Sequence, residues 1–161
     1  MMETKTNREL YEIHKNFGES LKNKEPLYIF IKGHLTVEAM VIKIFNQYFE
    51  GKVKTDMFNF PQKLELLVGL NLIDKELKGT IKKINDIRNG LAHRLEAQVD
   101  EKIVNDILST LPKEFKNEVL KNETELHIHK LGSFFLEMYI YLLDKLTELI
   151  RERKREQLAN N

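Results

Sequence analysis

The sequence contains no cysteine among its 161 residues. Disulfide scaffolds, thiolate metal sites and cysteine nucleophiles are therefore excluded. Proline and glycine are also scarce, with three and seven copies, and they fall mostly between segments whose apolar residues have a helical spacing. The sequence shows no alternating strand pattern, no internal repeat and no low-complexity tract. These features together predict an all-α protein.

The chain has neither an excess of one charge nor a long hydrophobic run. Its 26 basic and 25 acidic residues give a formal net charge of +1, which argues against nucleic-acid binding by bulk charge alone but leaves room for a local basic patch. Charged residues interrupt the most apolar stretch, 131–150, and disfavour a membrane span. Residues 1–16 are polar and mixed in charge, unlike a signal peptide. We therefore expect a cytoplasmic protein with no membrane partner.

Apolar residues with a helical spacing occur along most of the chain. Apolar residues three and four positions apart predict helices over residues 7–21, 27–49, 61–70, 75–95, 101–108 and 125–157, with a weaker pattern over 113–125. Asp74 and Asp100 are expected at the N-terminal ends of their helices. We expect residues 1–161 to form one small up-and-down helical bundle, with a polar N-terminal segment and a basic, frayed C-terminal end.

The most distinctive segment is the hexapeptide from Arg88 to His93, with the sequence RNGLAH. It gathers an always-charged guanidinium, an amide and an imidazole within six residues. On a straight helix Arg88 and His93 point about 140° apart. They would converge only if the helix bends or ends near Gly90, or if a second subunit completes a groove between them. Asn89 and His93 are four residues apart and can meet directly.

At Arg88, Asn89 and His93 the chain resembles the HEPN superfamily. Many members of this superfamily carry an arginine, then a polar residue, then a histidine four to six residues after the arginine. The segment 33–44, with Glu38 inside an apolar helix, looks similar to the second helix of such domains. The resemblance spans residues 27–150, and its specific part is the hexapeptide. It implies a HEPN-like helical bundle.

The resemblance also implies a function: a metal-independent endoribonuclease that acts as a toxin or defence effector. Such domains usually form homodimers in which two motifs face each other across a cleft, act on RNA, and are often restrained by a nucleotidyltransferase antitoxin. His93 would move protons, Arg88 would stabilise the phosphate charge, and Asn89 would orient His93 or donate to a phosphate oxygen. Glu38 and Asn85 are possible supporting residues. No cofactor is expected.

Other interpretations of the same residues remain open. Arg88 can pair with Asp86 or Glu38, and His93 can cap carbonyls at a helix end, both in structural roles. The alternative function is a non-catalytic HEPN-like or mannitol-repressor-like regulatory or binding module. No metal is expected, because His34 with Glu38, and His127 with His129, lack further ligands.

Overall fold

The computed structural model describes residues 2–94, 96–121 and 126–159, and of residues 2–7 it describes the backbone alone. These residues form seven α-helices and a 3-10 turn, and they contain no β-strand. In chain order the helices are α1 (Met2–Ser20), α2 (Pro26–Phe49), α3 (Phe60–Gly69), α4 (Lys75–Ala92), α5 (Glu101–Ser109), α6 (Lys113–Leu120) and α7 (His127–Ala159), with the 3-10 turn at Thr55–Met57. The expectation of an all-α bundle is confirmed.

Side-chain caps set where several helices begin. Asn59 and Gln62 form a reciprocal capping box at the start of α3, with each side chain bonding the other residue's backbone N–H at 3.0 and 2.9 Å. Asp100 accepts a hydrogen bond from a first-turn N–H of α5 at 2.9 Å. Asp74 precedes α4 as expected, but its carboxylate pairs with Lys145 of α7 at 3.2 Å and makes no cap bond. The start of α4 is therefore tied to α7 by a tertiary contact.

Helices α2 and α7 form the central pair of the bundle. Gly33, in the first half of α2, lies against the ring of Phe135 near the start of α7. At the other end of α2, Glu50 pairs with Arg153 near the end of α7. Since both contacts advance along the two helices together, α2 and α7 run in the same direction. The apolar faces of this pair fill the middle of the core, where Phe30, Phe45, Phe134 and Phe135 are fully buried.

The remaining helices surround that pair. Helix α1 runs antiparallel to α2 and α7, with Lys43 and Glu9 paired at 2.5 Å and His14 beside Tyr139. Helix α4 packs on α2, α3 and α5. Thr80 of α4 donates to the backbone carbonyl of Thr110, just after α5, at 3.0 Å. The position of α4 relative to α2 matters most for function, because α4 carries the RNGLAH segment.

Two sequence predictions concerned the basic C-terminal end of the chain and the absence of a membrane span. Helix α7 continues to Ala159, so the basic run from Arg151 to Arg155 lies inside a helix. The predicted frayed residues Asn160 and Asn161 lie outside the described part of the chain. Within the part that is described, no helix combines the length and the apolar character needed to cross a bilayer.

Candidate functional site

The RNGLAH segment forms the last turn and a half of α4. The helix includes Gly90 and ends at Ala92, and His93 is its C-terminal cap, with φ −99° and ψ 8°. Arg88, Asn89 and His93 are all exposed. Because the helix continues through Gly90, the side chains of Arg88 and His93 leave it about 140° apart. The two groups therefore do not converge on one point within a single chain.

Arg88 carries an available positive charge. Its Nη1 donates to Asn89 Oδ1 at 3.3 Å. Within the described ranges the guanidinium forms no ion pair, with either Glu38 or Asp86. The structural pairing that the sequence left open is thus not made. An exposed guanidinium without a carboxylate partner is free to bind an anion such as a phosphate.

His93 also presents its ring to solvent. Its backbone N–H donates to the carbonyl of Leu91 and so helps to close the helix. This cap uses the main chain and leaves the imidazole available for chemistry. His93 and Asn89 lie on one flank of α4, where both face outward.

Arg88 leaves α4 on the side that faces the core. At 100° per residue it lies within about 40° of the buried residues Ile81 and Ile84. Its side chain is nevertheless exposed. Arg88 lies close enough to His34 of α2 for its positive charge to act on the imidazole.

His34 is the unexpected member of this group. Its side chain is buried, with 3% of its surface exposed, and neither ring nitrogen forms a hydrogen bond with any described residue. Burial lowers the pKa of His34 because it disfavours the charged imidazolium. Glu38 and the side chain of Asn85 oppose that effect, whereas the positive charge of Arg88 adds to it. His34 is therefore a neutral imidazole at neutral pH.

The structure sorts the candidate residues into two groups. Glu38 of α2 and Asn85 and Arg88 of α4 all act on the charge state of His34, and the first two are half-buried. Asn89 and His93 lie on the neighbouring exposed flank of α4. Sequence reasoning did not assign His34 to the site. The available signals were a histidine inside an apolar helix and its four-residue spacing from Glu38, and neither shows that α4 covers the ring.

Metal-binding potential is low in the part of the chain that is described. No group of three or more histidine, aspartate and glutamate side chains lies close enough together there to hold an ion. His127 begins α7 and His129 follows on its exposed side.

Comparisons of the chain with protein families, curated proteins and solved structures find no match. Function is therefore inferred from the residues of the site. The site is distinct from a groove of about 590 Å³ between α4, α6 and α7. Five acidic residues line that groove, at Asp74, Glu76, Glu114, Glu118 and Glu137. Their negative charge would repel a phosphate backbone, so the RNGLAH end of α4 is the better place for an anionic ligand.

Proposed function

We propose that this chain is a HEPN-like, metal-independent endoribonuclease that acts as a toxin or defence effector. The observation that carries the proposal is an exposed Arg88, with no ion pair in the described ranges, at the same helix end as an exposed His93. Arg88 supplies a fixed positive charge, and His93 supplies an imidazole, which has a donor and an acceptor nitrogen for proton transfer. RNA cleavage by its own 2′-hydroxyl needs these two tasks and no further nucleophile.

The proposed reaction is a transesterification within the RNA. Neutral His93 removes the proton of the 2′-hydroxyl, whose oxygen attacks the adjacent phosphorus and displaces the 5′-oxygen of the next nucleotide. A protonated imidazole, that of the second subunit, returns a proton to the leaving oxygen. The products are a 2′,3′-cyclic phosphate and a 5′-hydroxyl. Arg88 neutralises the charge that gathers on the phosphate oxygens, and Asn89 donates to one of them or orients His93.

The divergence of Arg88 and His93 supports a homodimer. Two copies with their RNGLAH segments facing each other would place one chain's arginine opposite the other chain's histidine. We expect light scattering at micromolar concentration to give a mass of twice 19.1 kDa. A single species of 19.1 kDa across that range would count against a shared cleft.

One flank of α4 offers a path for the RNA backbone. Lys78, Lys82, Asn85, Asn89 and His93 fall within about 80° of arc at 100° per residue. The two lysines and Asn85 border a groove against α3. Lys78 pairs with Glu65 at 2.6 Å, whereas Lys82 is exposed and forms no ion pair in the described ranges. Phosphates that pass from His93 towards Lys82 would meet a favourable charge.

Lys82→Ala is therefore expected to weaken the binding of a 2′-O-methyl RNA. The slope of the logarithm of the binding constant against the logarithm of the salt concentration should become shallower by about 1, because one phosphate contact is lost. The matched control is Lys83→Ala, because Lys83 faces α5 and pairs with Asp106 at 3.4 Å. Fluorescence anisotropy at several salt concentrations measures both variants. Equal salt slopes for Lys82→Ala and Lys83→Ala would show that Lys82 does not contact the RNA backbone.

Cleavage of single-stranded RNA in the presence of EDTA tests the function itself, with DNA of the same sequence as the control. Cutting of RNA alone supports the ribonuclease. RNA binding without cutting would favour the non-catalytic binding module. A toxin of this kind requires a neutralising partner, for which we propose a small nucleotidyltransferase, and co-expression that relieves growth inhibition would identify it.

A further inference from the structure

A buried histidine whose two ring nitrogens form no hydrogen bond within the described ranges needs an explanation. Burying a polar group without hydrogen bonds is unfavourable, and an apolar side chain of similar size would pack at the same place at less cost. Buried polar groups that lack partners are rare in folded proteins. His34 is 3% exposed, and neither Nδ1 nor Nε2 has a hydrogen-bond partner among the described residues. The side chains near His34 should therefore explain why a histidine is buried at this position.

The surroundings of His34 match the bonding capacity of a neutral imidazole. Such a ring has one N–H donor and one acceptor nitrogen. Glu38, one turn along α2, offers carboxylate oxygens that accept a hydrogen bond. Arg88, on α4, offers N–H groups that donate one, whereas the amide of Asn85 acts on the ring as an acceptor. All three lie close enough to the ring to act on its charge state. Catalytic hydrogen bonds are often long in a free enzyme and tighten in the complex.

We propose that His34 is a positioning residue that links Glu38 on α2 to Arg88 on α4 when a phosphate is bound. The ring donates to Glu38 and accepts from Arg88, and so holds the guanidinium at a fixed place below the phosphate. His34 itself does not touch the RNA. This inference rests on the proposed function, because it assigns a ligand to Arg88, but phosphate binding can be measured without RNA cleavage.

The test compares His34→Leu with His34→Gln. Leucine fills the space without hydrogen bonds, whereas glutamine keeps one donor and one acceptor. Inorganic phosphate is titrated into each protein while the Arg88 side-chain N–H resonance is followed by NMR. We expect phosphate to bind His34→Leu roughly tenfold more weakly than the wild type, the effect of losing one hydrogen bond to a charged group. His34→Gln should recover most of the affinity.

The dependence of the free energy of unfolding on pH supplies a second test. In the folded protein the pKa of His34 lies below its ordinary value of 6.5. The unfolded chain therefore binds more protons just below pH 6.5, and the wild type should lose stability as the pH falls through that window. His34→Leu should lack this component and should be at least as stable as the wild type at pH 7. Glu38 and Arg88, the charged groups facing the ring, remain in every variant.

Three results would overturn the proposal. The first is equal phosphate affinity in the wild type and His34→Leu, and the second is a wild type whose Arg88 resonance does not respond to phosphate. The third is a His34→Leu variant that is less stable than His34→Gln at pH 7, since that would show that hydrogen bonds of residue 34 already stabilise the fold without phosphate. If RNA is not cut but the phosphate result holds, the ribonuclease fails while the role of His34 stands.

Discussion

Arg88→Ala and His93→Ala are each expected to lower the rate of RNA cleavage by about 100-fold or more. Proton transfer and stabilisation of phosphate charge are separate tasks, so the loss of either group should be sufficient. Both side chains are exposed and neither forms an ion pair within the described ranges. The variants should therefore fold as the wild type does. Rates with a labelled single-stranded RNA in EDTA, and circular dichroism of each variant, measure these effects.

Matched controls for these variants lie on α7. Arg151 and His129 are exposed residues of the same two types, at a helix that does not carry the RNGLAH segment. Arg151→Ala and His129→Ala should cut RNA at the wild-type rate. If His93→Ala cuts as fast as the wild type, the site has been assigned to the wrong residues. If all four variants lose activity together, a change of fold or assembly is the cause.

Gly33→Ala is expected to lower the free energy of unfolding by about 1–3 kcal/mol. A Cβ at this position would overlap carbon atoms of the Phe135 ring. That ring is fully buried and packs edge-on against Phe30 and Phe134, so it has little room to move. The overlap should outweigh the gain of up to about 1 kcal/mol that alanine brings to a helix. Urea unfolding, with the m-value checked for constancy, measures the difference.

Gly79→Ala is the control for the same substitution. Gly79 is an exposed position in α4, and no atom of another described element lies within 4 Å of the place that an alanine Cβ would occupy. Here only the helix propensity changes, and the protein should become more stable by up to about 1 kcal/mol. The two substitutions should therefore have opposite signs. A Gly33→Ala variant as stable as Gly79→Ala would show that α2 and α7 are not in close contact at Gly33.

The sequence was sufficient to predict most of the helices. The three- and four-residue spacing of apolar side chains in α2, and Pro26 before it, place that helix to within one residue at its start. Asp100 was expected to begin α5, and its side chain does cap that helix. Local signals of this kind act within a few residues, so they can be read from the sequence alone.

What the sequence did not predict depends on contacts between distant segments. The parallel course of α2 and α7 is set by packing at both ends of the pair, through Gly33 and Arg153. The environment of His34 depends on α4, which begins some 40 residues later in the chain. Asn59 was missed as the cap of α3, because Pro61 drew the predicted start one residue too late. Arg88, Asn89 and His93 stood out by residue type, but their exposure became known only from the fold.

The most direct test of metal-independent RNA cleavage uses one RNA in two forms. A single-stranded RNA that the wild type cuts in EDTA is compared with the same RNA carrying a 2′-O-methyl group at the nucleotide 5′ to the cut. Since the 2′-oxygen is the proposed nucleophile, we predict that the modified RNA resists cutting at that bond, and that the unmodified RNA yields a 2′,3′-cyclic phosphate end. Equal cutting of both forms, or dependence on added metal, would contradict metal-independent cleavage by the 2′-hydroxyl.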